Sequence, residues 1–378
     1  MSFHKELQSW PAERVRSLID AATPGDVERA IARGERTPQD LCALLSPHAA
    51  TQLETIAREA QRLTRWQFGR TISMYVPLYL SNVCGADCTY CGYAVRSGNK
   101  EKRRTLTPEE TRAECAALAG QGFQSVLLLT GEARRAVPPS YIAEAVAIAH
   151  EYFPSVAVEV YSLDQPDYED FVARGLDGVT IYMETYDPAT YAQVHLIGEK
   201  SDYAYRLGAI ERAGLAGVRR LSVGALLGLF DWRVDAFWAA LHARHVQKVC
   251  WQSAVSVSFP RLQHVPERFH IPALVSDKEF VQTILALRLF LAEVGFNLST
   301  RERPAFRDKL IPLGVTTMSA GSSTRPGGYT LYGEETLEQF EIEDHRPVNE
   351  VAEAIRRAGY EPVWKDFDHA FNVRRDTE

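Results

Sequence analysis

The sequence has no long hydrophobic run, no excess of basic residues and few cysteines. No stretch of about 18 consecutive apolar residues occurs, so no membrane span is expected. The formal net charge is -7 at pH 7, which argues against a nucleic-acid-binding surface, because such surfaces are usually basic. Six cysteines in 378 residues, without an apolar secretory segment after Met1, do not indicate a disulfide framework. These absences favour a cytoplasmic enzyme.

A glycine-rich dinucleotide-binding fingerprint is also missing from the chain, which alternates between apolar strands and helices from residue 71 onward. The predicted strands are 72–80, 125–130, 156–161, 178–183, 219–225, 254–259, 296–300 and 314–319. The amphipathic helices predicted between them include 108–121, 202–214, 232–247 and 277–294. Eight β/α units in roughly 250 residues are typical of an α/β fold of the (β/α)8 TIM-barrel type. An open doubly wound sheet is the alternative, which the strand count and the missing fingerprint disfavour.

The pattern divides the chain into three parts. Residues 1–70 are predicted to form a helical extension, with helix N-caps at Thr23 and Thr37 and a stop at Gly69. Residues 71–330 are predicted to form the barrel. Residues 331–378 hold one more predicted helix, near 348–358, and form a short tail that is expected to pack on the barrel.

Three cysteines, Cys84, Cys88 and Cys91, follow the first predicted strand in a C-x3-C-x2-C spacing. Thiolates are the ligands that hold iron–sulfur clusters, and three of them leave one iron of a four-iron cluster without a protein ligand. No fourth cysteine follows at ferredoxin spacing, so that iron is expected to bind a small molecule, as at a catalytic metal site. The alternatives are thiols that hold a zinc ion with a distant fourth ligand, or thiols that only pack.

Polar residues stand at the carboxyl ends of most predicted strands, where the active sites of barrels gather. Besides the cysteine loop, they include Thr130, Gly131, Glu132, Glu159, Glu184, Arg261, Arg301 and Ser319. A single charge facing a loop is usually only solvated. Together, these positions predict a site at the carboxyl end of the barrel.

The cysteine spacing, with Tyr90 just before the last cysteine, resembles that of the radical S-adenosylmethionine (SAM) superfamily. The resemblance implies a radical SAM barrel in which the three cysteines hold a 4Fe-4S cluster and SAM chelates the open iron. Thr130-Gly131-Glu132 resembles the Gly-Gly-Glu motif of that superfamily. This likeness implies that Glu132 accepts a hydrogen bond from the SAM amino group, whereas a plain helix N-terminal carboxylate is the alternative.

The other SAM contacts are predicted from charge and shape. Glu159 or Glu184 is expected to bind the ribose hydroxyls. Arg206 is expected to bind the SAM carboxylate, and an exposed helix arginine is the alternative. The adenine ring is expected to lie against Tyr90 and Tyr93, although core packing explains these rings equally well.

Arg301 is the predicted anchor of an amino-acid substrate, because a guanidinium binds a carboxylate through two parallel hydrogen bonds. Ser319 is expected to bind the same carboxylate, and Arg261 is a second, weaker candidate. An ion pair of Arg301 with Glu302 or Glu184 is the alternative interpretation.

Several segments resemble those of the aromatic-amino-acid lyases of radical SAM type. Within that group, the chain is most similar to the tyrosine lyases of thiamine biosynthesis. The segments are YVPLYLSN (75–82), CTYCGY (88–93), ETY (184–186), SVSFPRL (256–262), LSTRE (298–302), PGGY (326–329) and VWKD (363–366). Met183 departs from the glutamine expected before the ETY segment. No cysteine follows Cys250, so the second cluster motif of the hydrogenase-maturing relative is missing. A tryptophan lyase, which shares the barrel and the carboxylate clamp, stays an alternative.

The resemblance implies that SAM is cleaved to methionine and 5′-deoxyadenosine, and that the Cα–Cβ bond of L-tyrosine is broken to give 2-iminoacetate and p-cresol. It also implies transfer of 2-iminoacetate to a thiazole synthase and reduction by a flavodoxin or ferredoxin. The basic residues 100–104 are a candidate docking site for that reductant, with a solvated loop as the alternative. A hypothesis from another class, a non-catalytic cluster or zinc protein, would need the cysteines but not the arginines at the strand ends.

Overall fold

The computed structural model describes residues 2–332 and 335–365, which contain one sheet of parallel strands. The strands are β1 (Thr71–Ser81), β2 (Ser125–Thr130), β3 (Ser155–Glu159), β4 (Leu176–Thr180), β5 (Arg220–Gly224), β6 (Ala254–Ser258), β7 (Gly295–Leu298), β8 (Thr317–Ser319) and β9 (Glu361–Val363). β1 pairs with β2 on one side and with β8 on the other, which closes β1 to β8 into a barrel. The predicted (β/α)8 barrel is therefore confirmed, and the open doubly wound sheet is wrong.

Helices cover the outside of the barrel and precede it. Those before β1 are α1 (Phe3–Gln8), α2 (Ala12–Ala21), α3 (Pro24–Ala32), α4 (Pro38–Leu44) and α5 (Leu53–Phe68). Those after it are α6 (Pro108–Gly120), α7 (Pro139–His150), α8 (Gln165–Ala173), α9 (Pro188–Val194), α10 (Tyr203–Leu207), α11 (Ala209–Leu215), α12 (Trp232–Val249), α13 (Asp277–Phe290), α14 (Pro304–Leu310) and α15 (Val348–Arg357). Not one of the helices in the described ranges is both long and apolar enough to cross a membrane.

The helix starts follow from local sequence. At Thr23, Thr37 and Thr107 the threonine hydroxyl accepts the N–H of the acidic residue three positions later, and that carboxylate accepts the threonine N–H. This reciprocal pair of hydrogen bonds, called a capping box, satisfies two N–H groups that a helix start otherwise leaves unpaired. The predicted helix 202–214 is instead two short helices, α10 and α11, which meet at Gly208 because glycine is a poor helix former.

The extension shares its core with the barrel. Helix α5 packs on α13, and α2 packs on α12. The buried guanidinium of Arg36 donates to the carbonyl of Leu289 at 3.0 Å, and the amide of Gln282 donates to the carbonyls of Leu44 and Ser46 at 3.1 and 2.8 Å. These hydrogen bonds fix the extension on the outer face of α13. The proposed division at residues 70 and 330 stays a prediction.

Strand β9 was not expected from the sequence. Its three residues pair with the start of β1, with Glu361 beside Thr71, and Pro362 interrupts any alternation of apolar and polar side chains. The helix predicted near 348–358 is confirmed as α15. The last residue of the VWKD segment, Asp366, lies outside the described residues.

We predict that Thr107→Ala lowers the free energy of unfolding by about 1 kcal/mol, because the N–H of Glu110 at the start of α6 loses the hydroxyl that accepts it. Urea unfolding followed by circular dichroism measures this loss. Thr107→Ser keeps the hydroxyl and is expected to stay close to the wild type. Equal losses in both variants would contradict the capping role.

Candidate active site

A cavity opens at the carboxyl end of the barrel, and several of the predicted strand-end residues line it. Its lining includes Cys91, Glu159, Glu184, Lys200, Arg301 and Ser319. A larger cavity lies at the opposite end and is lined mainly by hydroxyl and apolar groups, among them Ser222 and Thr317. Its lining contains no cysteine, so the cluster chemistry predicted from the thiols belongs to the cavity at the carboxyl end.

The loop that carries the three cysteines is held at both ends by hydrogen bonds. Asn82, directly after β1, donates from Nδ2 to the carbonyl of Leu337 at 2.9 Å and accepts the N–H of Arg104 on Oδ1 at 2.6 Å. The guanidinium of Arg103 donates to the carbonyls of Asn82 and Tyr93 at 2.6 and 2.9 Å. Backbone carbonyls from both sides of the cysteines therefore converge on one arginine.

Cys88 is buried, and Cys84 and Cys91 are half-buried. Burial raises the pKa of Cys84 to about 11, and it also raises the pKa values of Cys88 and Cys91. Because only thiolates bind metal, these positions hold thiolates only beside a strong cation. Within the described ranges, no three side chains of His, Cys, Asp or Glu converge on a single ion site. Three thiols in one short loop beside the cavity are a donor set of the kind that holds an iron–sulfur cluster.

Thr130 and Gly131 form the floor beneath the cysteine loop. The N–H of Gly85 donates to the carbonyl of Glu132 at 2.8 Å, which draws the loop onto the end of β2. A Cβ on Gly131 would lie 2.2 Å from the carbonyl oxygen of Val83, so only glycine fits there. The buried Oγ1 of Thr130 has no hydrogen-bond partner in the described part of the chain. A polar ligand such as the amino group of SAM fits this orphan oxygen.

Four charged side chains form a compact network beside the loop. Arg206 lies 3.0 Å from Glu132 and 3.7 Å from Glu184, and Lys200 donates to Glu184 at 2.7 Å. Arg206 is only 6% exposed, so the alternative of an exposed helix arginine is wrong. Its Nε also donates to the carbonyl of Tyr182 at 2.8 Å. Arg206 therefore already binds two carboxylates, one of which is the predicted SAM contact Glu132.

The two predicted ribose contacts differ in their protonation. Burial and the nearby Glu184 charge raise the pKa of Glu159 to about 7. For Glu184, burial acts in the same direction, but Lys200 and Arg206 outweigh it and bring its pKa below the ordinary value. Glu184 also has a φ of 65°, in the left-handed region that non-glycine residues rarely adopt. Its backbone carbonyl accepts the N–H of Leu226 at 2.7 Å, which holds this conformation.

The two predicted adenine contacts have different surroundings. Tyr90 lines the cavity, and its hydroxyl lies 2.8 Å from Nε2 of His195. Burial lowers the pKa of His195 to about 2, so the ring is neutral. Its Nδ1 therefore donates to the carbonyl of Tyr191 at 3.0 Å and its Nε2 accepts from Tyr90. Tyr93 is buried instead, and its hydroxyl donates to the carbonyl of Thr324 at 2.7 Å, so it serves packing.

Arg301 presents its guanidinium to the cavity without an ion pair to any described carboxylate. Among the described residues, no carboxylate or carbonyl accepts a hydrogen bond from its guanidinium, which lies 3.3 Å from the centroid of the Phe340 ring. The expected alternative, an ion pair with Glu302 or Glu184, is not formed. Burial lowers the pKa of Arg301, as expected for a desolvated cation. Ser319, at the end of β8, lines the same cavity.

Arg261, the weaker substrate candidate, does not reach the cavity. Its guanidinium binds both oxygens of Glu302 at 2.8 and 2.6 Å, Oδ1 of Asp277 at 2.7 Å and the carbonyl of Val275 at 2.9 Å. Four of its five N–H donors are thereby engaged by the protein. This prediction is therefore corrected: Arg261 ties β6 to the loop after β7 and leaves Arg301 unpaired by occupying Glu302.

Two residues that line the cavity, Lys200 and Phe340, were not predicted from the sequence. Lys200 lies in a short turn after α9 and Phe340 in the tail, and neither belongs to a periodic pattern or stands at a strand end. The YVPLYLSN segment did mark Tyr79, whose hydroxyl donates to Oε1 of Gln339 at 2.6 Å at the rim of the cavity.

Two family models match the chain. The model of the Radical SAM superfamily matches residues 78–243, and the model of the Biotin and Thiamin Synthesis associated domain matches residues 258–361. With the barrel and the cysteine loop, these matches define a radical SAM enzyme. The 2-iminoacetate synthase of Salmonella typhimurium strain LT2 is 46% identical over 94% of this chain and 93% of its own length, and that of Escherichia coli K12 is 45% identical over the same shares. The chain belongs to the 2-iminoacetate synthase family.

Two solved structures show the same architecture. HydG, a maturase of the FeFe-hydrogenase, superposes with a TM-score of 0.87 at 30% identity. The match covers 94% of this chain and 80% of the HydG chain. Methylornithine synthase (PylB) superposes with a TM-score of 0.71 at 22% identity, over 89% of this chain and 97% of its own. The second likeness concerns the fold alone.

We predict that Gly131→Ala prevents stable cluster assembly, because the added methyl group forces the carbonyl of Val83 and the cysteine loop to move. Iron and sulfide content after anaerobic reconstitution measures this effect. Gly120→Ala is the matched control, since a Cβ at that position meets no atom within 4 Å. Full cluster content in Gly131→Ala would refute the close-approach role.

We predict that Glu159→Gln gains stability over the wild type as the pH rises. Because the folded-state pKa of Glu159 is raised from 4.5 to about 7, the unfolded chain loses its proton first, and wild-type stability falls between about pH 4.5 and 7. Glutamine cannot ionise, so the difference should grow by on the order of 1–3 kcal/mol over this range. Urea unfolding of the metal-free proteins at several pH values measures it, with exposed Glu13→Gln as the control. A constant difference would contradict the raised pKa.

Proposed function

We propose that this chain is a carbon–carbon lyase that cleaves the Cα–Cβ bond of L-tyrosine into 2-iminoacetate and p-cresol, for the thiazole moiety of thiamine. Membership of the 2-iminoacetate synthase family supports the reaction. The structural observation that carries the substrate class is the half-buried guanidinium of Arg301, which has no ion pair among the described residues and shares its cavity with Cys91. An amino acid would supply the carboxylate that this cation lacks.

Each charged group has a separate task in this proposal. The fork of Arg301 binds the tyrosine carboxylate through two hydrogen bonds, and the hydroxyl of Ser319 assists. Arg206 and Lys200 fix the side chains of Glu132 and Glu184, and Glu184 lines the cavity. The apolar and aromatic lining around them excludes water, which protects a radical reaction from side products.

We further propose that Cys84, Cys88 and Cys91 hold a 4Fe-4S cluster and that SAM lies between the cluster and the tyrosine. When bound, the cluster supplies the electron that cleaves SAM to methionine and 5′-deoxyadenosine. The protein orients SAM with the orphan hydroxyl of Thr130, the carboxylate of Glu132 and the hydroxyl-anchored ring of Tyr90. Arg206 acts through Glu132 in this arrangement, since it donates to that carboxylate and to the carbonyl of Tyr182.

The partners follow from the chemistry of the products and the electron. Because 2-iminoacetate hydrolyses readily, transfer to a thiazole synthase is favoured, and a flavodoxin or ferredoxin supplies the electron.

The stretch 100–104 is a smaller docking site than its sequence indicates. Lys102 and Arg104 pair with Glu335, and Arg103 binds backbone carbonyls, which leaves Lys100 as the cation of this stretch without an ion pair to a described residue. Cluster thiolates need a reducing compartment, which supports a cytoplasmic location.

An anaerobic assay tests the proposal. The protein is reconstituted with iron and sulfide and incubated with SAM, dithionite and either tyrosine or tryptophan, and the products are separated by mass spectrometry. We expect p-cresol from tyrosine together with 5′-deoxyadenosine. Formation of 3-methylindole from tryptophan instead would favour the tryptophan lyase. A cluster that never cleaves SAM would favour the non-catalytic class.

We predict that Arg301→Lys lowers kcat/KM for tyrosine by about 100-fold, because a lysine cannot offer the two parallel donors that a carboxylate matches. Cluster content should stay at the wild-type level. The matched control is Arg303→Lys, two residues after Arg301. The exposed guanidinium of Arg303 pairs with Asp277, so this variant should retain activity. Unchanged turnover in Arg301→Lys would refute the assignment of the anchor.

A further inference from the structure

We propose that a tail segment, residues 335–346, completes the active site, and that its Phe340 is a positioning residue that presents the guanidinium of Arg301 to the substrate. We name residues 335–346 the tail strap. The inference rests on the proposed role of Arg301 as the carboxylate anchor. It assigns a function to a part of the chain whose sequence carries no catalytic motif.

The contact between Phe340 and Arg301 stabilises the positive charge of the guanidinium. A guanidinium that is partly desolvated and has no ion pair is costly, and this desolvation lowers the pKa of Arg301. The face of an aromatic ring stabilises a cation that stands over it. At 3.3 Å from the ring centroid, Arg301 receives this stabilisation from Phe340 without using a hydrogen-bond donor. The N–H groups in the guanidinium plane therefore stay available for a carboxylate.

The tail strap is anchored to the strand ends that carry the substrate residues. The N–H groups of Glu343 and Asp344 donate to the carbonyl of Thr300 at 3.0 and 3.1 Å, next to Arg301. The fully buried Asp344 pairs with the fully buried Arg307. Arg307 also donates to the carbonyl of Ser319 at 2.5 Å. The strap thus holds Phe340 in register with both proposed carboxylate contacts.

The other end of the strap is anchored to the cysteine loop. The amide of Asn82 donates to the carbonyl of Leu337 at 2.9 Å, and the N–H of Gly92 donates to the carbonyl of Gln339 at 3.3 Å. A Cβ on Gly92 would lie 2.7 Å from that carbonyl oxygen, so the two backbones touch. Phe340 follows Gln339 directly. One short segment therefore sets the separation between the cluster ligands and the substrate anchor.

A second arginine–phenylalanine pair in the chain serves as a control. On the outside of the barrel, the guanidinium of Arg244 stacks on Phe290 of α13 at 4.5 Å from the ring centroid. This pair has the same chemistry and lies outside the cavity. If Phe340 only contributed packing, its replacement by leucine should have no more effect on tyrosine binding than Phe290→Leu has.

The test compares Phe340→Leu, Phe340→Tyr and Phe290→Leu as cluster-loaded enzymes with SAM. Binding of L-tyrosine without reductant is measured by calorimetry, and turnover is measured as the ratio of p-cresol to 5′-deoxyadenosine. We expect Phe340→Leu to weaken tyrosine binding and raise KM by about 5- to 30-fold, the loss typical of a cation–π contact, and to lower the product ratio. Phe340→Tyr keeps the ring face and should rescue both values, and Phe290→Leu should match the wild type.

The outcomes separate the strap from the proposed reaction. Wild-type affinity in Phe340→Leu, or equal losses in Phe340→Leu and Phe340→Tyr, would overturn the positioning role. A wild type that binds tyrosine but forms no p-cresol would overturn the reaction and leave the role of Phe340 standing. A wild type that binds no tyrosine would overturn the strap proposal as well, since the fork would have no carboxylate to receive.

Discussion

The pairing of β1 with both β2 and β8 is the contact on which the site depends. It closes the barrel and places the end of β1, which enters the cysteine loop, between the ends of the strands that carry Thr130 and Ser319. In an open sheet, β1 would have only one of these neighbours. Barrel closure therefore brings the proposed cluster ligands, the SAM contacts and the substrate contacts to the mouth of one cavity.

Charge compensation then decides which groups in this region are available to ligands. Glu302 binds Arg261, and Glu132 and Glu184 bind Arg206 and Lys200. Arg301 has only an aromatic ring for a partner among the described side chains. A protein interior tolerates few such cations, because desolvation is costly. The unpaired cation of the cavity is therefore the position where the carboxylate of a ligand brings the largest gain.

Local sequence was sufficient for the regular elements and the thiol motif. The capping boxes at Thr37 and Thr107 involve residues three positions apart, and the eight strands show as apolar runs between turns, so short windows of sequence contain the necessary information. Strand β9 and the break at Gly208 were missed. The first depends on a partner strand some 290 residues away in the chain. At the second, the poor helix preference of glycine outweighs the amphipathic pattern from which one continuous helix was predicted.

The sequence by itself determined the barrel class, the three cysteines and the position of Arg301 at a strand end, because each rests on spacing along the chain. Only the tertiary structure decided which charges pair. It turned Arg261 away from the cavity, buried Tyr93, brought Lys200 to Glu184 and laid Phe340 against Arg301. Such pairings join residues distant in sequence, and their energies depend on burial and on distances of a few ångströms, which spacing along a chain does not encode.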